Sequence, residues 1–518
     1  MEGATHSTPA EPRAPRLVEI VASFSLATDL GLGQPMEHGL RSCLIATRLA
    51  DRLELEDEDC SSIYWVALLA MVGCTGSSHE MSEIFGDDIE FRHGLYDVGP
   101  SQMAMPRYFL ARAGASGGPV RRAGTRASLM LTGMRAVMEG YVADCRITGL
   151  FAERLGFGQA VSGPLQQKFA RWDGKGIPRG LAGQEIALAA RVLGFSWRLE
   201  AEHRLRGVEG ALAMIERHAG ATLDPALAST LSPALPEILE GLEEECWPAV
   251  VEAEPARARL TGDAFESALQ ALGDFADLKS PWFTGHSRAV AELAEAAGWR
   301  VGMVEPDVTC VRHAALVHSL GRTGVPNTIW DKKGSLSVAE RERMQLYPYF
   351  TDRILRRGSL AELADIASAS QERLDGSGYT RGLSSAAIPR AARLLAAADV
   401  YQALCEARPH RPAISAEDAA KQLRAEVREG RIDAEAAEAV LAVSGHRPQR
   451  TSTAPGDLTA RELDVLRLIA RGRTSAETAR ELGIHPKTVG THIEHIYTKI
   501  GASNRSVATL FAMEHRLV

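Results

Sequence analysis

One phrase of this chain returns, and it fixes the architecture more than any other feature. RWDGKGIPRGL begins at Arg171 and RLDGSGYTRGL at Arg373, 202 residues apart. The AAR triplets at Ala189 and Ala391 keep that offset. Upstream, HGLRSCLIATRLA from His38 pairs with HSRAVAELAEAAG from His286, and ALLAMVGC from Ala67 pairs with ALVHSLGR from Ala315, both 248 residues apart. Such self-similarity marks a duplicated unit. The offsets differ by 46 residues, so the first copy carries an insertion, expected to include the Gly-rich stretch ARAGASGGPVRRAG as a loop. Apolar residues recur at helical spacing and strand-like alternation is scarce, so the fold class is all-α. Gly174, Gly176, Gly376 and Gly378 are expected to take positive φ in tight turns.

A chain of 518 residues exceeds one ordinary core. The reading is a mobile tail over 1–15, a first copy with its insertion over 16–235, a connecting helix over 236–262, and a second copy over 263–445. A linker over 446–457 and a compact tail over 458–518 follow. The net charge of -8 excludes a uniformly basic protein, so nucleic-acid contact must be local. The seven cysteines form no CxxC pair, which favours a reducing compartment. The opening lacks the order of a signal peptide, and IYWVALLAMVGC is too short to cross a bilayer. A cytoplasmic protein with no membrane contact is expected. Trp172, Phe195 and Trp197 are expected in the core, and the Glu-rich stretch from Pro236 as a solvated helix face.

In the tail, Thr459 with Glu462 and Thr474 with Glu477 have capping-box spacing. Pro486 suits the first turn of a third helix, in which Val489, Ile493, Ile496 and Ile500 form a buried stripe. The other face carries Lys487, Thr488, Gly490, Thr491, Glu494, His495 and Lys499, available to a major groove. LTARELDVLRLIARG, TARELGI, KTVGTHIEHIYTKIG and NRSVA then follow in an order that resembles the LuxR-type helix-turn-helix domain. The resemblance implies four helices, the third reading double-stranded DNA and the fourth often dimerising, so a homodimer is expected. It places Lys487, Thr488, Thr491 and Lys499 at DNA-contacting positions and His492 at the family's frequent histidine. Gly490 stands where the family commonly has Lys, a loss His495 would partly offset.

The repeats resemble HD-GYP phosphohydrolases, helical enzymes that cleave cyclic dinucleotides with bound divalent metals. The phrases are AALVHSLGRTGVPNTIWDKKGSLSVAERERM, QERLDGSGY and AARLLAAADVYQAL in the second copy; the first copy matches weakly. By this resemblance His286, His318 and Asp399 occupy metal-ligand positions. Ser319 replaces the Asp of the HD pair, Arg322 a Lys, Tyr347 a His, and Ser370 with Gln371 a His pair. Thr380 replaces the final Pro of the GYP turn, and Gln402 a further Asp. In the first copy His38 remains, but Ala70 and Met71, Lys168 and Phe169, and Trp197 hold the other positions. Too few imidazoles and carboxylates remain for a two-metal clamp.

The expectation is therefore a transcription regulator and not an enzyme, with no cofactor. His286, His318 and Asp399 would be a vestigial site, its two histidines buried and hydrogen-bonded. The repeats would bind a small-molecule effector in the emptied cleft or mediate dimerisation. The alternative is a metal-dependent phosphohydrolase with residual activity in the second copy.

Overall fold

The computed structural model describes residues 14–96, 98, 104–115, 117–131, 135–445 and 455–518. Those residues form helices, 3-10 turns and isolated β-bridges, with no strand among them, as the apolar spacing predicts. Residues 1–13 of the expected tail and 446–454 of the expected linker lie outside the described residues. Pro15 is held: its carbonyl accepts from the Leu260 amide at 2.8 Å.

Helix α1, Leu17–Gly31, is buried from Leu17 to Asp29, as a helix apolar on nearly every face must be. It lies between the copies. Glu19 accepts from the Ser359 amide at 2.9 Å, reaching the second copy. The first copy follows as α2 (His38–Arg52), α3 (Asp57–Leu69), α4 (Arg135–Arg154) and α5 (Leu188–His218). The second is α6 (Gly262–Asp277), α7 (His286–Arg300), α8 (Glu305–Val317) and α9 (Arg390–Cys405). One continuous apolar core runs through both copies. A buried ion pair crosses between them: Lys279 Nζ meets Asp88 Oδ2 at 2.6 Å, both side chains fully enclosed.

Several sequence expectations need correction. The stretch ARAGASGGPVRRAG is not one loop, because Pro119 opens a helix, Pro119–Leu131, that runs through Gly124. The insertion builds its own small core, with Phe85 and Phe91 stacked at 3.9 Å. Residues 236–262 are no single helix. Leu235–Leu239 and Trp247–Glu252 are separate, broken where Gly241 takes φ 71°, and Leu242, Trp247 and Val250 are buried. Asp57–Phe85 is long and apolar enough to cross a membrane, but 78% of its most apolar window is buried in the protein. A 3-10 turn at Val72–Ser77 breaks its helix.

Of the four motif glycines, only Gly174 and Gly376 have positive φ. Gly176 and Gly378 are needed for space: a Cβ would lie 2.5 Å from the Phe169 carbonyl oxygen or 2.4 Å from the Arg373 nitrogen.

The tail forms α10 (Ala460–Ala470), α11 (Ser475–Leu482), α12 (Pro486–Ile500) and α13 (Arg505–Glu514). Both capping boxes form, each worth about 1 kcal/mol. Gly483 ends α11 in the left-handed conformation. The tail packs on both copies. Thr284 Oγ1 donates to the Ala470 carbonyl at 2.9 Å, and Ser506 Oγ donates to the Gly76 carbonyl at 2.5 Å.

Candidate functional site

Three helix ends and faces meet in the second copy. His286 begins α7 after a left-handed Gly285. His318 follows α8 directly. Asp399 lies within α9. One donor atom from each lies within 4.8 Å of the other two, and all three side chains are buried. His286 Nε2 is 3.0 Å and His318 Nε2 3.6 Å from Asp399 Oδ1.

The groups behind the imidazoles decide what these atoms offer. Glu406 Oε2 accepts from His286 Nδ1 at 2.8 Å, and the Ala315 carbonyl accepts from His318 Nδ1 at 2.6 Å. Both Nδ1 protons are thereby fixed and both Nε2 lone pairs turn toward Asp399, as in metal-binding histidines. Burial pushes the His318 pKa down, which keeps that ring neutral. Burial also disfavours charge on His286, but Glu406 and Asp399 outweigh it and raise its pKa. Burial alone would raise Asp399, yet the two histidines beside it hold its pKa well below the usual carboxylate range.

The replaced positions also point inward. Arg322 Nη2 donates to His286 Nε2 at 3.2 Å, Ser319 Oγ lies 3.1 Å from His318 Nε2, and Gln371 Nε2 donates to Asp399 Oδ2 at 2.5 Å. The Arg322 guanidinium lies over Phe283, 4.4 Å from the ring centre. Its Nη1 and the Ser370 hydroxyl are buried without a hydrogen-bond partner among the described residues. Tyr347 is buried, with its hydroxyl pKa raised well above 10.0, so it offers no phenolate.

The donor set fits one divalent ion with three protein ligands. It does not fit two, because Ser319, Ser370, Gln371 and Tyr347 add neither carboxylate nor imidazole. The sequence reading missed Glu406, although it stands seven residues after Asp399 and so extends the same helical face. Gln402, the other lost acidic position, donates to Glu406 at 2.8 Å.

In the first copy, His38 Nδ1 is paired with Glu200, and its Nε2 faces the Tyr96 hydroxyl at 3.4 Å. Lys168 donates to Thr148 at 2.9 Å. Trp172 and Trp197 are only half-buried, unlike Phe195; Trp197 donates to the Tyr96 hydroxyl at 2.8 Å and lines a cavity.

On α12, Lys487, Thr488, Thr491, Glu494 and His495 are exposed, and Gly490 leaves open space beside them. Val489 and Ile496 are buried beneath, while Ile493 and Ile500 are half-buried. His492 is half-buried. Lys499 is held elsewhere, its ammonium 2.7 Å from the buried Glu462 carboxylate. Val507, Leu510 and Met513 of α13 belong to the main core of the repeats, so this face of the helix is covered within the chain.

Comparison with known proteins agrees with this layout. The HD domain family model matches residues 153–227 and 270–436, and the model described as bacterial regulatory proteins, luxR family, matches 457–512. The 3'3'-cGAMP-specific phosphodiesterase 3 of Vibrio cholerae is 30% identical over 405 residues, covering 77% of this chain and 88% of that protein. A crystal structure described as a cyclic GMP-AMP specific phosphodiesterase from V. cholerae superposes with a TM-score of 0.59 at 26% identity. It covers 85% of this chain and all of that one. The probable transcriptional regulatory protein NarL of Mycobacterium tuberculosis is 40% identical over 76 residues, 15% of this chain and 35% of that protein.

These likenesses overturn the expectation that the chain is not an enzyme. That inference counted lost ligands and gave too little weight to the three that remain together. The chain belongs to the HD-domain family that includes the 3'3'-cGAMP-specific phosphodiesterase 3 of V. cholerae, and it carries a LuxR-family helix-turn-helix domain over residues 457–512.

Proposed function

We propose that this chain is a phosphodiesterase of cyclic dinucleotides, acting in its second copy and joined to a DNA-binding module. The observation that carries the reading is the buried convergence of His286, His318 and Asp399. These residues would hold one divalent transition metal of the kind that N/O ligands suit, such as Fe or Mn. When bound, such an ion supplies Lewis acidity toward a phosphoryl oxygen and lowers the pKa of water.

The chain's own residues account for orientation and charge. Glu406 and the Ala315 carbonyl hold the imidazoles in the tautomer that leaves Nε2 free. Arg322, with Nη1 unpartnered, supplies a charge-assisted donor for a phosphate oxygen. Ser370 supplies a second polar group beside it. Phe283 and Tyr347 flank the guanidinium and keep water from it, which strengthens its pull on an anion.

The test uses the full chain loaded with Mn2+ or Fe2+, incubated with 3'3'-cGAMP or cyclic di-GMP. Hydrolysis that Asp399→Ala abolishes is the expected result. A chain that carries one equivalent of metal and cleaves neither substrate refutes the reading.

The LuxR-family domain supports a second activity, sequence-specific binding of double-stranded DNA and control of transcription, which implies a cytoplasmic site of action. The exposed face of α12 carries it, through Lys487, Thr488, Thr491 and His495, with Gly490 allowing close approach. Lys499 acts from its pairing with Glu462, as a support for the fold of the tail. A homodimer formed through α13 requires that helix to leave the repeats.

A further inference from the structure

The first copy holds a cavity of about 440 Å³. It lies where the second copy has its metal ligands. Met71, Cys74, Phe169 and Trp197 line it, and by the repeat offsets they correspond to Ser319, Arg322, Gln371 and Asp399. Substitution has therefore turned one cleft of the pair into an apolar chamber. Phe91 and Phe109 complete its aromatic wall. Its volume falls in the range of small-molecule sites, which run from about 300 to 1,000 Å³.

The charged groups lining this chamber are the guanidiniums of Arg92, Arg171 and Arg198 and the carboxylates of Asp144 and Glu202. Arg198 lines it, and its only hydrogen bond among the described residues goes to the Gly194 carbonyl at 2.9 Å. No carboxylate pairs with it among those residues. Arg92 and Asp144 are buried in the same wall, bridged by Ser77 Oγ at 3.0 Å from each. Arg92 Nε and Asp144 Oδ1 have no hydrogen-bond partner among the described residues. Lys168 is buried beside them, against Cys74 and Thr148. Burial, together with Arg171, pushes the Arg198 pKa down to about 10.

We infer that this chamber is a binding site for a small molecule with a planar apolar body and one anionic group, the ring against the aromatic wall and the anion on Arg198. A guanidinium that is half-buried and without a carboxylate partner is better satisfied when an anion meets it. The aromatic and thioether surfaces favour a ring. The site is separate from the metal ligands of the second copy and does not depend on the activity proposed for them.

The probes share one ring and differ in the head group: 1-naphthoate, 1-naphthyl phosphate and neutral 1-naphthol. Binding to the full chain is measured by calorimetry, with Trp197 emission as a local reporter and Trp197→Phe as its control. One equivalent of at least one anion binds, and 1-naphthol binds at least tenfold more weakly. The preferred anion tells a carboxylate from a phosphate ligand. Arg198→Gln brings the anion to the affinity of 1-naphthol. Ala201→Phe and Met138→Trp, each filling the chamber from a different helix, abolish binding while Mn2+ uptake at the second copy persists. Equal affinity for the three probes, or unchanged binding in both filled variants that melt like the parent, overturns the assignment.

Discussion

Glu406→Gln tests the metal-site reading where the fold alone gives no reason for an effect. Glu406 is not one of the three ligands; it accepts from His286 Nδ1 at 2.8 Å and is braced by Gln402 and Arg408 at 2.8 Å. Its carboxylate is held down to a pKa of about 2, against burial, by His286 and Arg408, so it is charged at any working pH. Glutamine keeps the size and an acceptor oxygen but removes the charge that makes His286 Nε2 a better donor. Loss of such an outer partner costs about 10–100-fold in metal affinity, which is about 1.4–2.8 kcal/mol. The pH dependence carries a further signature. Glu406 also raises the His286 pKa in the metal-free chain, so protons compete with the ion more strongly in its presence. Removing the charge relieves that competition. The affinity deficit of the variant is therefore larger at pH 8 than at pH 6. Mn2+ titration by calorimetry at both pH values reads it, with thermal melting as a control for folding. A dissociation constant within twofold of the parent at pH 8 refutes the role assigned to Glu406, and with it the claim that the site is organised to hold a metal.

Three further outcomes are expected. Lys487→Ala weakens binding to duplex DNA and lowers the salt slope by about 1, measured by fluorescence anisotropy across ionic strength; an unchanged slope places Lys487 away from phosphate. Lys279→Met leaves Asp88 charged and enclosed and destabilises the chain by about 3–5 kcal/mol. Adding Asp88→Leu recovers part of this in urea unfolding, and no recovery would mean the pair is not the cause. Asp277 is raised by burial from 3.8 to about 7. Its folded form takes up a proton that the unfolded chain lacks, so its contribution is fully present below about pH 4 and lost as pH rises through 7. The slope is at most about 1.4 kcal/mol per pH unit, and Asp277→Asn flattens stability between pH 5 and 7.

Much of this was legible in the residues because the signals are local. Capping boxes, a proline at a helix start and a left-handed glycine at a helix end each depend on a few neighbours, and the tail formed as read. The resemblance to HD-GYP phosphohydrolases marked which positions should meet, and His286, His318 and Asp399 do meet. What the sequence hid lies across long separations. Glu254 is paired with Arg16 at 2.6 Å, and α1 joins both copies. No periodicity announces either. Helix face and resemblance put Lys499 among the DNA contacts, and neither shows that the Glu462 carboxylate serves both the cap and the Lys499 ammonium. Counting lost ligands also misled, because a count ignores whether the survivors share a point in space.

The two copies together show how one scaffold supports different chemistry. The D-G-x-G turn in each copy carries a glycine that close backbone approach demands, so the geometry around each cleft persists while side chains change. Where Asp399, Gln371 and Arg322 stand, the cleft is polar and closed around a donor set. Where Trp197, Phe169 and Cys74 stand, it is apolar and open. The turn that supplies Cys74 and Ser77 to the first cleft also presents the Gly76 carbonyl to Ser506 of the DNA-binding tail. A ligand in that cleft alters the grip on DNA only by as much as it binds the docked and released arrangements unequally. The contact between Ser506 and Gly76 is where that difference would be felt, because it is made by the cavity's own wall. Substitutions in the two clefts therefore separate the activity proposed for the second copy from the hold of the tail.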